Sequence, residues 1–139
     1  MKAGYPLTVY DLSKERVEAL TAVGAKAAGS IGEIGRTFRT VLTMMPDSPQ
    51  VREVVLGAGG LAETLQPGSV VIDMSSIAPM ASREAAALKA KGIDMPDAPV
   101  SGGEPKAIDG TLAFMVGGDR ATFDEHLPLL RAMGASVTY

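Results

Sequence analysis

The run from Asp97 through Leu112 carries an apolar, proline-broken stretch (Ile93 to Val100) into Ser101-Gly102-Gly103, and a short helical pattern follows. Glycines at such a point let a ligand approach the backbone closely. Their N–H groups at a helix start suit a carboxylate or phosphate, and the Ser101 hydroxyl adds a donor beside them. The same residues also make a plain Gly-rich turn with no ligand. Three further groups sit at predicted strand ends, where open α/β sheets bind ligands. Asp11 closes the first strand, Met44-Met45-Pro46 closes another, and Ser75-Ser76 follows Asp73. Each has an ordinary alternative: a helix cap for Asp11 and the serines, gap-filling core packing for the methionines.

Strand-like and helix-like segments alternate along the chain, which predicts an α/β domain built on a mostly parallel sheet. Leu7 to Tyr10 reads as a strand, followed by a helix capped by Ser13 with Val17, Leu20 and Val23 on one face. Ala25 to Ala28 is a short strand. Ser30 and Glu33, three apart, form a capping box for a helix to about Thr37. Val41 to Met44 is a buried strand, and Ser48-Pro49 supplies a cap and a first-turn proline for a helix to Leu56. Gly57-Ala58-Gly59-Gly60 follows a helix rather than a strand, so it is not read as a cofactor loop. Leu61 to Leu65 is one helical turn, and Val70-Val71-Ile72 marks a strand buried on both faces. Pro79 to Lys91 and Arg120 to Met133 read as helices, Leu112 to Val116 and Ser136 to Tyr139 as strands.

A chain of 139 residues makes one domain, and 46% hydrophobic with 21% charged residues is the balance of a folded globule rather than a disordered one. A net charge of −3 offers no basic footprint for nucleic acid or an anionic membrane. No apolar run approaches the ~18 residues of a spanning helix. The absence of cysteine excludes disulfides and thiolate metal sites, and no His/Asp/Glu spacing suggests a metal. His126 reads as an exposed helix residue rather than a base. By elimination the expected setting is cytoplasmic.

With Asp97-Ala98-Pro99-Val100-Ser101-Gly102-Gly103 in place, the chain resembles the β-hydroxyacid dehydrogenases. Val9-Tyr10-Asp11, Thr43-Met44-Met45-Pro46 and Val71-Ile72-Asp73-Met74-Ser75-Ser76 continue the likeness over essentially the whole length. Glu104-Pro105-Lys106-Ala107 is most similar to the branch that reduces tartronate semialdehyde; the 3-hydroxyisobutyrate branch comes second. The resemblance implies a Rossmann-like, doubly wound fold and a nicotinamide cofactor. Asp11 would hold the adenosine ribose; with Leu12 next to it, NAD is expected over NADP. Met44, Met45 and Pro46 would line the path of the diphosphate and ribose, with Ser76 at the nicotinamide end. Ser101, Gly102 and Gly103 would grip the carboxylate of a small hydroxyacid. Lys106 is not the family's catalytic lysine.

The resemblance further implies a first strand with a Gly-x-Gly-x-x-Gly loop about 20 residues before Lys2, and a catalytic lysine in a helical domain beyond Tyr139. Residues 1–139 are therefore expected to be a partial NAD(P)-binding domain, truncated at the first strand. No catalytic residue is expected on this chain, which is inactive alone and open to forming a homo-oligomer through unpaired strands. A non-catalytic folding or self-association module is the alternative. Phe38-Arg39-Thr40 departs from the family's small residue and Asp before the Thr-Met-Leu-Pro strand.

Overall fold

The computed structural model describes residues 4–75 and 82–139, without the side chains of Ser48 and residues 82–85. The elements run β1 (Thr8–Val9), α1 (Lys14–Thr21), β2 (Lys26–Ala27), α2 (Ile31–Thr37), β3 (Thr40–Thr43), α3 (Ser48–Leu56) and α4 (Leu61–Thr64). They continue with β4 (Val70–Asp73), α5 (Ser82–Lys89), β5 (Val100–Ser101), α6 (Gly103–Asp109), β6 (Leu112–Met115), α7 (Arg120–Met133) and β7 (Gly134–Thr138). Among the described residues no helix is long and apolar enough to cross a membrane.

β4 lies at the centre of the packing. It pairs in parallel with β3, Thr40 opposite Val70 through Thr43 opposite Asp73. On its other edge runs the strip Asp94–Ala98, with parallel bridges at Val70–Asp94 and Asp73–Asp97. That strip continues into β5, which pairs antiparallel with β6, and β6 pairs in parallel with β7. The stretch from Ile93 to Val100 is thus no single regular strand. Pro96 and Pro99 lack the N–H that a ladder needs, so pairing is confined to isolated bridges at Asp94 and Asp97 and to β5 beyond.

Alternation along β4 sends its side chains to two cores. Val71 packs with Val41, Val51, Val55, Leu61 and Leu88. Val70 and Ile72 pack with Phe114, Phe123 and Leu130 from β6 and α7. Helices therefore cover both faces, which is the doubly wound arrangement. α2 and α4 approach closely: a Cβ on Gly35 would lie 1.9 Å from Thr64 Oγ1.

Two helix starts match the sequence reading. Ser13 Oγ accepts from Arg16 N–H, and Ser30 Oγ accepts from Glu33 N–H at 3.1 Å. Glu33 Oε2 accepts from Gly29 N–H, one residue before the cap, so the return arm of the expected box reaches past Ser30 to its neighbour. α3 starts one residue earlier than expected: Asp47 C=O accepts from Val51 N–H, so Ser48 stands inside the helix. Residues 79–81 of the expected fifth helix lie outside the described residues.

The N-terminal quarter differs most. β1 and β2 pair only with each other, in a two-stranded parallel sheet, and among the described residues no ladder joins β1 to β3. The apolar face of α1 is accordingly uncovered: Leu20 and Val23 are exposed and α1 has no buried residue. A cleft of about 690 Å³ lies there, lined by Leu7, Thr8, Val23, Lys26, Ala28 and Phe38 among others.

Candidate functional site

The carboxyl ends of β3 and β4 are tied together by one buried carboxylate. Asp73, 1% exposed, accepts at Oδ1 from the Thr43 hydroxyl (2.8 Å), the Ser75 hydroxyl (2.7 Å) and the Ser75 N–H (3.3 Å). Ser75 Oγ accepts from Met45 N–H at 2.8 Å, and Thr43 C=O accepts from Met74 N–H. The turn after β3 is thereby locked to the turn after β4. Within it Met45 packs against the core, whereas Met44 is 55% exposed and Pro46 is exposed. Gap-filling therefore accounts for one methionine and leaves the other facing solvent at the ligand end of the sheet. Ser76 lies outside the described residues. Ser75 links Asp73 to Met45, and the helix start it is read from sequence as capping lies outside the described residues.

Asp97 faces Asp73 from the neighbouring strip. Burial and then the Asp73 charge push its carboxyl above the ordinary value of 3.8. Four residues further along, β5 ends at exposed Ser101, past the carboxyl end of β4. Gly102 there has φ 132° and ψ −15°, and Gly103 has φ 69°. A Cβ on Gly102 would lie 2.6 Å from Lys106 Cδ, so the lysine chain folds back over this turn. Only a residue without Cβ adopts this backbone freely. α6 beyond it has no buried residue. Ser101–Gly103 and Met44–Pro46 thus lie at the same end of the sheet.

Asp11 stands apart, on the β1–β2 sheet. Its Oδ1 accepts from Ser13 N–H at 2.8 Å, which orients the carboxylate and helps the Ser13 cap. Oδ2 has no hydrogen-bond partner among the described residues, and the side chain is exposed. The preceding residue, Tyr10, lines a cleft of about 310 Å³ together with Ser30, Gly32, Arg36, Glu53 and Gly59, among others. A fixed carboxylate with one free oxygen suits a vicinal pair of ribose hydroxyls, and exposed Met44 suits the apolar face of a sugar or ring. These residues fit parts of a dinucleotide.

His126 corrects an expectation. It is buried on α7, with Nδ1 2.9 Å from Thr122 O and Nε2 3.5 Å from Thr40 Oγ1. Thr40 begins β3, so the imidazole sits at the opposite end of the sheet from Met44 and serves packing there. Sequence reading did not single out Asp73, Thr43 or Asp97 as a cluster. The available signal was an acid directly after Val70-Val71-Ile72, where a buried charge must find donors.

Residues 1–139 match the family model described as the NAD binding domain of 6-phosphogluconate dehydrogenase. The chain belongs to this family. An NAD-dependent L-serine dehydrogenase of Pseudomonas aeruginosa is 42% identical over 138 residues, 99% of this chain and 46% of its own. A 2-hydroxy-3-oxopropionate reductase of Escherichia coli is 44% identical over 95 residues, 68% of this chain and 32% of its own. Among solved structures, Psf3 in complex with NADP+ and 2-OPP superposes with a TM-score of 0.93 at 32% identity. That match covers 99% of this chain and 49% of the other. The chain spans about half the length of the relatives it matches along its whole length. The Rossmann-like fold and the kinship with hydroxyacid dehydrogenases read from the sequence both hold.

Proposed function

We propose that this chain is the nucleotide-binding part of an NAD-dependent oxidoreductase that interconverts a small β-hydroxyacid and its semialdehyde. Tartronate semialdehyde and glycerate are the first choice of substrate pair, and the 3-hydroxyisobutyrate pair is the second. The observation that carries the reading is the Ser101-Gly102-Gly103 turn. Gly102 there holds φ 132°, which L side chains rarely adopt, and the turn stands past the carboxyl end of β4, at the same end of the sheet as the locked Met44–Pro46 turn.

In this reading the Ser101 hydroxyl and the amides of Gly102 and Gly103 hold the substrate carboxylate and so orient the reacting carbon. Asp11 accepts from the adenosine ribose hydroxyls, and its charge disfavours a 2′-phosphate. Met44, Met45 and Pro46 line the path of the diphosphate and ribose, with Ser76 at the nicotinamide end. The cofactor, when bound, supplies the hydride. Proton transfer to the reacting oxygen is assigned to no residue of this chain. A cytoplasmic setting goes with small-metabolite chemistry of this kind. A second reading, a domain that folds and pairs with itself without catalysis, is favoured by β1 and β3 each being paired on one edge only among the described residues.

The test is to titrate the chain with NADH and NADPH, then to assay it with each semialdehyde. The expected result is weak binding, above micromolar, with NADH ahead of NADPH and no turnover near the ~10 per second of a typical enzyme. Turnover at that rate would put the acid/base group on this chain. NADPH ahead of NADH would overturn the role of Asp11.

A further inference from the structure

A carboxylate as deeply buried as Asp73 is costly unless donors surround it. Three donors converge on its Oδ1: the hydroxyls of Thr43 and Ser75 and the Ser75 N–H. The consequence for the turn lies in the single proton of the Ser75 hydroxyl. An ionised carboxylate only accepts, so it draws that proton toward itself. The lone pairs of Ser75 Oγ then point away, and one of them receives Met45 N–H at 2.8 Å. Without the carboxylate the hydroxyl loses the partner that fixes its rotation, and its acceptor is no longer held toward Met45. Met45 is the second residue past β3, beyond its ladder with β4.

We propose that Asp73 is a positioning residue which, acting through Ser75, fixes the Met44–Pro46 turn in the conformation that receives the nicotinamide cofactor. The proposal rests on the reading of that turn as a cofactor surface. It goes further in assigning the geometry of the turn to a group that touches no ligand. Asp97, opposite Asp73 in parallel register, is held above its ordinary range by burial and by the Asp73 charge.

The test uses the whole chain and four variants: Ser75→Ala, Asp73→Ala, Asp73→Asn and the core control Val55→Ala. Two quantities are measured: the hydrogen-exchange rate of the Met45 amide relative to that of Val71, and the Kd for NADH. Ser75→Ala and Asp73→Ala are expected to speed Met45 exchange relative to Val71 on the order of tenfold, the loss of one hydrogen bond. They are expected to weaken NADH by a similar factor. Asp73→Asn keeps an acceptor oxygen and is expected to restore most of the Met45 protection. Val55→Ala is expected to lower overall stability and leave the ratio and the Kd unchanged. Unchanged relative exchange in Ser75→Ala would overturn the proposal, whether or not Asp73→Ala folds. Equal weakening of NADH by Val55→Ala would overturn it too, by showing a general stability effect. Failure of the unsubstituted chain to bind NADH would instead strike the cofactor reading, while the exchange ratio still decides whether Asp73 holds the turn.

Discussion

Replacing Gly102 by alanine separates a turn that needs its backbone conformation from one that merely contains glycines. An L residue held at φ 132° sits in a sparsely populated region, at a cost of about 1–3 kcal/mol. The new Cβ would also lie 2.6 Å from Lys106 Cδ and 2.9 Å from Lys106 Cβ. The first contact is relieved by rotating a flexible side chain; the second is fixed by α6 itself. Because α6 buries none of its residues, it has little packing energy with which to resist. The turn should therefore relax at the expense of α6, and the whole protein should lose only about 1 kcal/mol, roughly 3–5 °C in melting temperature. Hydrogen exchange over residues 103–109 should rise on the order of tenfold, with the β4 amides unaffected. Adding Lys106→Ala removes the Cδ contact and leaves the strain, so it should restore less than half of the lost protection. Unchanged exchange across residues 103–109 together with an unchanged melting temperature would refute the claim that this turn depends on a positive φ. Near-complete rescue by Lys106→Ala would show that the clash, and not the backbone, sets the cost.

Gly35→Ala gains about 1 kcal/mol of helix propensity but drives a Cβ to 1.9 Å from Thr64 Oγ1. Overpacking of this kind costs about 1–3 kcal/mol. Urea unfolding should show net destabilisation, partly recovered by adding Thr64→Ala, and a stabilised Gly35→Ala would contradict the close α2–α4 contact. Asp97→Asn tests the acid pair. The folded carboxyl titrates above its ordinary 3.8, so between the two values the native state binds more protons than the unfolded one. Stability from this group is therefore present below about pH 3.8 and lost as pH rises through the folded value. The variant should accordingly gain on the native protein as pH is raised, and parallel melting curves from pH 3 to 7 would contradict the assigned shift.

What the sequence shows of this fold depends on how local each cause is. Ser30 and Glu33 are three residues apart, and Val70-Val71-Ile72 is continuous, so the Ser30 cap and the buried strand could be read from neighbours alone. The face of Val17, Leu20 and Val23 was equally clear as a pattern. Yet periodicity states what a helix could bury, not whether anything arrives to cover it, and Leu20 and Val23 stay in solvent because β1–β2 forms a sheet of its own. His126 shows the reverse case: an isolated polar residue is buried because the start of β3, 86 positions away, meets its ring. The candidate site divides along the same line. Asp11, Met44 and Ser101–Gly103 stand out as candidates because strand ends and glycines are local signals. Asp73 was passed over because its meaning comes from Thr43, 30 residues upstream, and from a serine that had a sufficient local role as a cap. A polar residue at the end of an apolar strand therefore poses a question of partners, and only the register of β3 on β4 answers it. On the proposed cofactor reading that answer bears on function, because the partner reached through Ser75 is the backbone of Met45.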